Sequence, residues 1–118
     1  MWIPSFLKNL TQLSFLGMGS NQMMDQIPSW LANLTQLTML SLSFNKLQGP
    51  ILISIFELEK LEILILYSNN LSGIVTVDMF FELKYLTSSL LSMNNILFLT
   101  KNNTNATWNM FKGWLHAT

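Results

Sequence analysis

Ile27-Pro28-Ser29-Trp30-Leu31-Ala32-Asn33-Leu34-Thr35-Gln36-Leu37-Thr38-Met39-Leu40-Ser41-Leu42-Ser43-Phe44-Asn45-Lys46-Leu47-Gln48-Gly49-Pro50 is the stretch that decides the fold. Laid over residues 3–26, it keeps 11 of 24 residues: Ile3/Ile27, Pro4/Pro28, Ser5/Ser29, Leu7/Leu31, Asn9/Asn33, Leu10/Leu34, Thr11/Thr35, Gln12/Gln36, Leu13/Leu37, Leu16/Leu40 and Asn21/Asn45. A third copy follows at the same offset with Leu58, Leu61, Leu64, Leu66, Asn69 and Leu71. A fourth arrives one residue late as Leu83, Leu86, Ser89, Leu91, Asn94 and Ile96, the extra residue falling in the Val75–Phe81 connection. Each copy reads L-x-x-L-x-x-L-x-L-x-x-N-x-L, with Met18 and Met23 replacing leucines in the first. A fixed period of this length marks a repeat architecture, in which one unit cannot bury its own apolar face and stacked units share a core.

The spacing within each copy carries a physical meaning. The L-x-L step alternates, so Leu40 and Leu42 point inward while Ser41 points out, as in a short strand. The flanking three-residue spacings let the chain wind inward and bury the other leucines behind that strand. The expected architecture is an α/β solenoid of about four 24-residue turns with a short parallel sheet on its concave face. Its repeats span residues 1–99, with cores near 10–23, 34–47, 58–71 and 83–96, and a divergent tail follows at 100–118. Asn21, Asn45, Asn69 and Asn94 recur just after the strand, where backbone groups lose their ladder partners. An amide side chain both donates and accepts, so a stacked asparagine column suits that place.

The residues after each asparagine narrow the class. Asn45-Lys-Leu-Gln-Gly49-Pro50-Ile51 and Asn69-Asn-Leu-Ser-Gly73-Ile74 resemble the N-x-L-x-G-x-I-P segment of plant-type leucine-rich repeats, and Ile3-Pro4-Ser5 and Ile27-Pro28-Ser29 supply the I-P portion. Asp25 takes the Gly position, Pro50 precedes its Ile, and Val75 lacks the Pro. Val75-Thr-Val-Asp78-Met79-Phe80, Glu82-Leu83-Lys84 and Asn102-Asn-Thr-Asn-Ala-Thr107 resemble plant receptor-like proteins of the disease-resistance type. The resemblance implies an extracellular solenoid at the plasma membrane that senses a protein or peptide ligand, or pairs with a co-receptor, in defence or developmental signalling. No Gly-rich loop, catalytic-loop or magnesium-binding signature of a kinase is present.

Composition excludes other classes. Six lysines balance six acids, there is no arginine or cysteine, and only 10% of residues are charged, against about 25% in a typical domain. A balanced chain without a basic block gives no nucleic-acid footprint. The lack of cysteine removes disulfides and thiolate chemistry. The single histidine, His116, has no partner hydroxyl or thiol in sequence, Asp25 and Asp78 occupy separate turns, and Glu57, Glu59 and Glu62 with Lys60 read as a solvated face. We therefore expect no enzyme, no metal and no cofactor. The start, Met1-Trp2-Ile3-Pro4-Ser5-Phe6-Leu7-Lys8, does not read as a signal peptide. The most apolar stretch, Ile51 to Leu66, carries too many charges to span a membrane.

Binding is the expected function. Strand alternation places Phe15, then Met39, Ser41 and Ser43, then Ile63, Ile65 and Tyr67, then Leu90 and Ser92 on the concave face, and a contiguous apolar patch marks a partner site. Asn9, Asn33, Asn70, Asn102 and Asn105 fit N-x-[ST] and are candidate glycosylation sites. The tail from Trp108 to His116 spaces its large apolar residues at three and four, which fits a short amphipathic turn or an irregular end. Without polar caps, the array is expected to self-associate end to end. The rival expectations are a degenerate receptor fragment without independent function, a small inhibitor-type repeat protein, and an intracellular repeat module.

Overall fold

A computed structural model describes residues 2–99. The backbone cycles through a short helical turn, a strand, a sharp bend and a second strand. The first cycle holds a 3₁₀ turn Ser5–Asn9, strand β1 (Phe15–Gly17) and β2 (Met24–Gln26). The next holds Ser29–Asn33, β3 (Met39–Ser41) and β4 (Lys46–Pro50). Then come Ile53–Glu57, β5 (Ile63–Ile65), β6 (Asn70–Ser72) and β7 (Ile74–Thr76). Helix α1 (Val77–Phe81), β8 (Ser88–Leu90) and β9 (Leu97–Leu99) complete the series.

The three-residue leucine spacing is what successive i→i+3 turns require. A 3₁₀ turn advances three residues per revolution, so residues three apart fall on one side. Leu34 N–H donates to Leu31 O (3.1 Å) and Leu37 N–H to Leu34 O (3.1 Å); Leu58 and Leu61 repeat the pattern at 3.2 and 3.0 Å. Leu31, Leu34, Leu37 and Leu40 therefore all face the core and are fully buried. Pro4 and Pro28 precede their turns with extended backbone, φ −61° and −71°, the φ that the proline ring enforces. Leu52 holds the same conformation, φ −69°, without the ring.

The late fourth copy explains why α1 is α rather than 3₁₀. The capping position keeps its period (Pro4, Pro28, Leu52, Thr76), whereas the first inward residue shifts from Leu7, Leu31 and Ile55 to Phe80. Three residues instead of two must now lie between the cap and the core, and an α turn absorbs the additional one. Phe80 is consequently buried and meets Phe56 edge to face, centroids 5.1 Å apart.

Three sheets run along the solenoid. All pairs are parallel, in the orders β1-β3-β5-β8, β2-β4-β6 and β7-β9. In the first sheet Leu16, Leu40, Leu64 and Ser89 stand in register, the sequence repeat itself. The other pairs are displaced by two residues from that repeat: Met24 faces Lys46, Gln48 faces Asn70, and Ile74 faces Leu97. A two-residue shift preserves the alternation of faces, so it leaves inward residues inward.

The asparagines close the bend between the sheets. Asn45 Nδ2 donates to the carbonyls of Met18 (3.0 Å), Leu42 (2.9 Å) and Ser43 (3.2 Å), while its Oδ1 accepts the N–H groups of Asn21 (3.0 Å) and Met23 (2.9 Å). Asn69 Nδ2 donates to Leu42 and Leu66 carbonyls, and Asn94 Nδ2 to those of Leu66, Leu91 and Ser92. Their Oδ1 atoms accept Leu47 and Leu71 N–H at 3.1 and 2.9 Å. Leu42 O and Leu66 O each receive two amides, so neighbouring turns share acceptors. Asn21 is exposed and its side chain donates only to Gly19 O (2.8 Å).

Backbone strain recurs beside this column. Ser20, Phe44, Ser68 and Met93, each just before an asparagine, have φ between 55° and 59°, a left-handed conformation unfavourable for residues with a Cβ. Asp25 (φ 75°) holds the conformation that Gly49 (79°) and Gly73 (89°) adopt in the same column. Its Oδ1 accepts the Gln26 N–H at 2.9 Å, the local bonding that lets aspartate tolerate this region.

Ser89 interrupts the leucine column. It is fully buried, and its Oγ has no hydrogen-bond partner. An unpaired buried hydroxyl costs roughly 1–3 kcal/mol, so Ser89→Ala is expected to stabilise the chain by about 1 kcal/mol. Urea unfolding would show it as a raised midpoint at constant slope; a lowered midpoint would mean the hydroxyl is satisfied.

Candidate functional site

The exposed face of the first sheet brings three rows together. Phe15, Met39, Ile63 and Ser88 form one row, and Gly17, Ser41, Ile65 and Leu90 the next. Backbone bonds continue beyond the strands. Ser20 N–H donates to Ser43 O (2.9 Å), Phe44 N–H to Tyr67 O (3.0 Å) and Ser68 N–H to Ser92 O (3.1 Å). These bonds align Gly19, Ser43, Tyr67 and Ser92 as a third row. Short parallel pairing thus converts residues 24 or 25 apart in sequence into neighbours about 4.8 Å apart.

The rows contain no carboxylate, lysine or histidine. Phe15 is 63% exposed, while Met39, Ser41, Ser43, Ile63, Ile65, Tyr67 and Leu90 are half-buried. Met39 leans across the space left by Gly17, its Cε 3.7 Å from where a Cβ would stand. Ser92 lies in its row, but its Oγ is shielded from solvent and has no hydrogen-bond partner, so it offers no hydroxyl to a ligand. Chemically the face can supply apolar contact, the serine hydroxyls of Ser41 and Ser43, and a tyrosine. Among the described residues no His, Cys, Asp and Glu group could hold a metal ion.

Phe44 was not anticipated from strand alternation. It precedes Asn45 at positive φ, is 56% exposed, and packs edge to face on Tyr67 with centroids 5.2 Å apart. The signal was present as a column, Ser20, Phe44, Ser68 and Met93, in which a large aromatic stands at a bend. This pair extends the apolar surface beyond the third row.

The N-x-[ST] asparagines occupy different settings. Asn9 and Asn33 end consecutive 3₁₀ turns and are exposed. Asn70 is exposed in β6, where its Oδ1 accepts Asn95 Nδ2 at 2.7 Å. Asn102, Asn105, His116 and the 100–118 tail lie outside the described residues. Among the described residues no helix is long and apolar enough to cross a membrane.

No family model and no curated relative matches the chain. Solved structures do. The plant peptide hormone receptor RGFR1, in complex with RGF2, is 33% identical with a TM-score of 0.74, over 80% of this chain and 15% of that one. The BIR2 ectodomain from Arabidopsis thaliana is 28% identical with a TM-score of 0.78, over 89% of this chain and 55% of that one. A plant ice-binding protein is 33% identical with a TM-score of 0.72, over 80% of this chain and 30% of that one. The chain thus spans about half or less of the length of each. The repeated leucine and asparagine columns, the parallel sheets and these likenesses agree: the chain is a plant-type leucine-rich-repeat protein, resembling an ectodomain segment of plant leucine-rich-repeat receptors.

Proposed function

We propose that the chain is a non-catalytic interaction module that binds an extended, largely uncharged peptide along its first sheet. The supporting observation is the set of rows without a carboxylate, lysine or histidine, led by Phe15, Met39 and Ile63 and flanked by Ile65, Tyr67 and Leu90. In this reading four turns make a solenoid whose concave face is that sheet. The module belongs to the ectodomain of a receptor-like protein at the outer face of the plasma membrane, in defence or development. A co-receptor would pair with it, and Asn9, Asn33 and Asn70 would carry glycans in the secreted protein. RGFR1, solved with the peptide RGF2, supports a peptide as ligand. An ice lattice is periodic and is met by a repeated side chain; the rows here change residue at nearly every step, which favours a peptide.

Panning a phage-displayed random 12-residue peptide library against the chain supplies the probe. Selected peptides are expected to be poor in charge and to lose about tenfold or more in affinity for the Met39→Ala, Ile63→Ala, Tyr67→Ala, Leu90→Ala quadruple variant, because a few apolar anchors dominate such interfaces. Equal binding by the folded quadruple variant removes the face from consideration.

A further inference from the structure

A second surface lies on the helical side of the solenoid, apart from the strand face. The 3₁₀ turn Ile53–Glu57 packs beside α1, and two adjoining cavities open there, about 290 and 300 Å³, the lower end of the range for ligand pockets. Both are lined by Phe56, Glu57 and Glu82. One adds Glu59, Lys84 and Tyr85, the other Ile53, Asp78 and Met79. Ile53 and Tyr85 are 63% and 65% exposed at the rim.

Charge is concentrated here in a chain whose total is zero. Five of its six acids, Glu57, Glu59, Glu62, Asp78 and Glu82, fall in this part of the sequence, and four of the five line the cavities. Lys60, adjacent in sequence, instead directs its Nζ to Gln36 Oε1 at 2.6 Å. Four carboxylates around an apolar floor, opposed only by Lys84, complement a cation carried on an apolar stem or beside an apolar side chain.

The geometry points to a docking site for a basic, apolar-centred segment of a partner protein, with an apolar side chain against Ile53 and Met79 and flanking cations against Glu57 and Glu82. This surface is independent of the peptide face proposed above, because none of its residues belongs to the strand rows. Lys84 sits at the rim as a repulsive element that tunes the strength of docking.

Isothermal titration of the full chain with the synthetic peptide acetyl-Arg-Phe-Arg-amide tests it. Saturable binding at low salt is expected, weakened several-fold by raising salt from 50 to 300 mM, since rim attraction is screened. Glu57→Gln with Glu82→Gln should weaken binding about tenfold or more. Lys84→Gln should tighten it two- to fivefold, and Glu62→Gln should leave it unchanged. All are exposed substitutions, and circular dichroism of each variant checks that it is folded. The quadruple strand-face variant should bind this peptide normally, which separates failure here from failure of the first proposal. Equal affinity for acetyl-Glu-Phe-Glu-amide, or no effect of the double variant, overturns the inference. So does saturable calcium binding that displaces the peptide, which would make the site a cation site. Self-association lost in the double variant would reassign the surface to a second copy.

Discussion

Truncating Asn45 to alanine is expected to cost about 3–4 kcal/mol in urea unfolding, a large fraction of the roughly 5–15 kcal/mol that holds a domain folded. The side chain makes five hydrogen bonds, accepting from Asn21 and Met23 N–H and donating to Met18, Leu42 and Ser43 carbonyls. Each bond alone is worth about 1 kcal/mol net, but removing one partner leaves buried backbone groups unsatisfied, and that penalty is larger. Water can reach some of the groups near Asn21, which is why the expected total falls short of five full penalties. Asn45→Asp should cost at least as much, because a carboxylate has no donor for three carbonyl oxygens and would sit charged beside them. Asn21→Ala is the control: it removes one exposed bond to Gly19 O and should cost under about 0.5 kcal/mol. If Asn45→Ala and Asn21→Ala prove equally mild, the column is ornamental and the bend is held by backbone alone.

The parts of the fold legible in the sequence are those fixed by a strict period. Leu34, Leu37, Leu40 and Leu42 announce both the three-residue winding and the strand alternation, and the first-sheet register follows by adding 24. The asparagine column was legible for the same reason. Three features were not. The shift to an α turn at α1 depends on one inserted residue within five, too short a segment to show a period of its own. The two-residue displacement of the second sheet leaves inward residues inward, so no hydrophobic pattern records it. The left-handed residues Ser20, Phe44, Ser68 and Met93 are not the glycines that would advertise such a backbone. The strand-face candidates were read from alternation, whereas Phe44 sits at the bend where alternation stops. The acidic cavities escaped because they join Glu57 to Glu82 across two turns, and sequence proximity showed only Glu57, Glu59 and Glu62.

Phe80 provides the sharpest test of how the chain absorbs its inserted residue. A uniform period of 24 would put Met79 in the column of Leu7, Leu31 and Ile55; the α turn instead buries Phe80 completely and leaves Met79 half-buried. Phe80→Ala is therefore expected to cost about 3–5 kcal/mol, as large-to-small core changes do, including about 1 kcal/mol from the edge-to-face contact with Phe56. Met79→Ala should cost only about 1 kcal/mol. Because each repeat is held mainly by its neighbours, the loss at Phe80 should be local first. Hydrogen exchange of Phe80→Ala should show protection falling most from Leu83 to Leu91, with Leu31 to Leu42 less affected. A larger cost at Met79 than at Phe80 would mean that the segment winds as 3₁₀ like its predecessors. In that case the extra residue bulges outward, and the acidic cavities formed between Ile53–Glu57 and α1 would have a different wall.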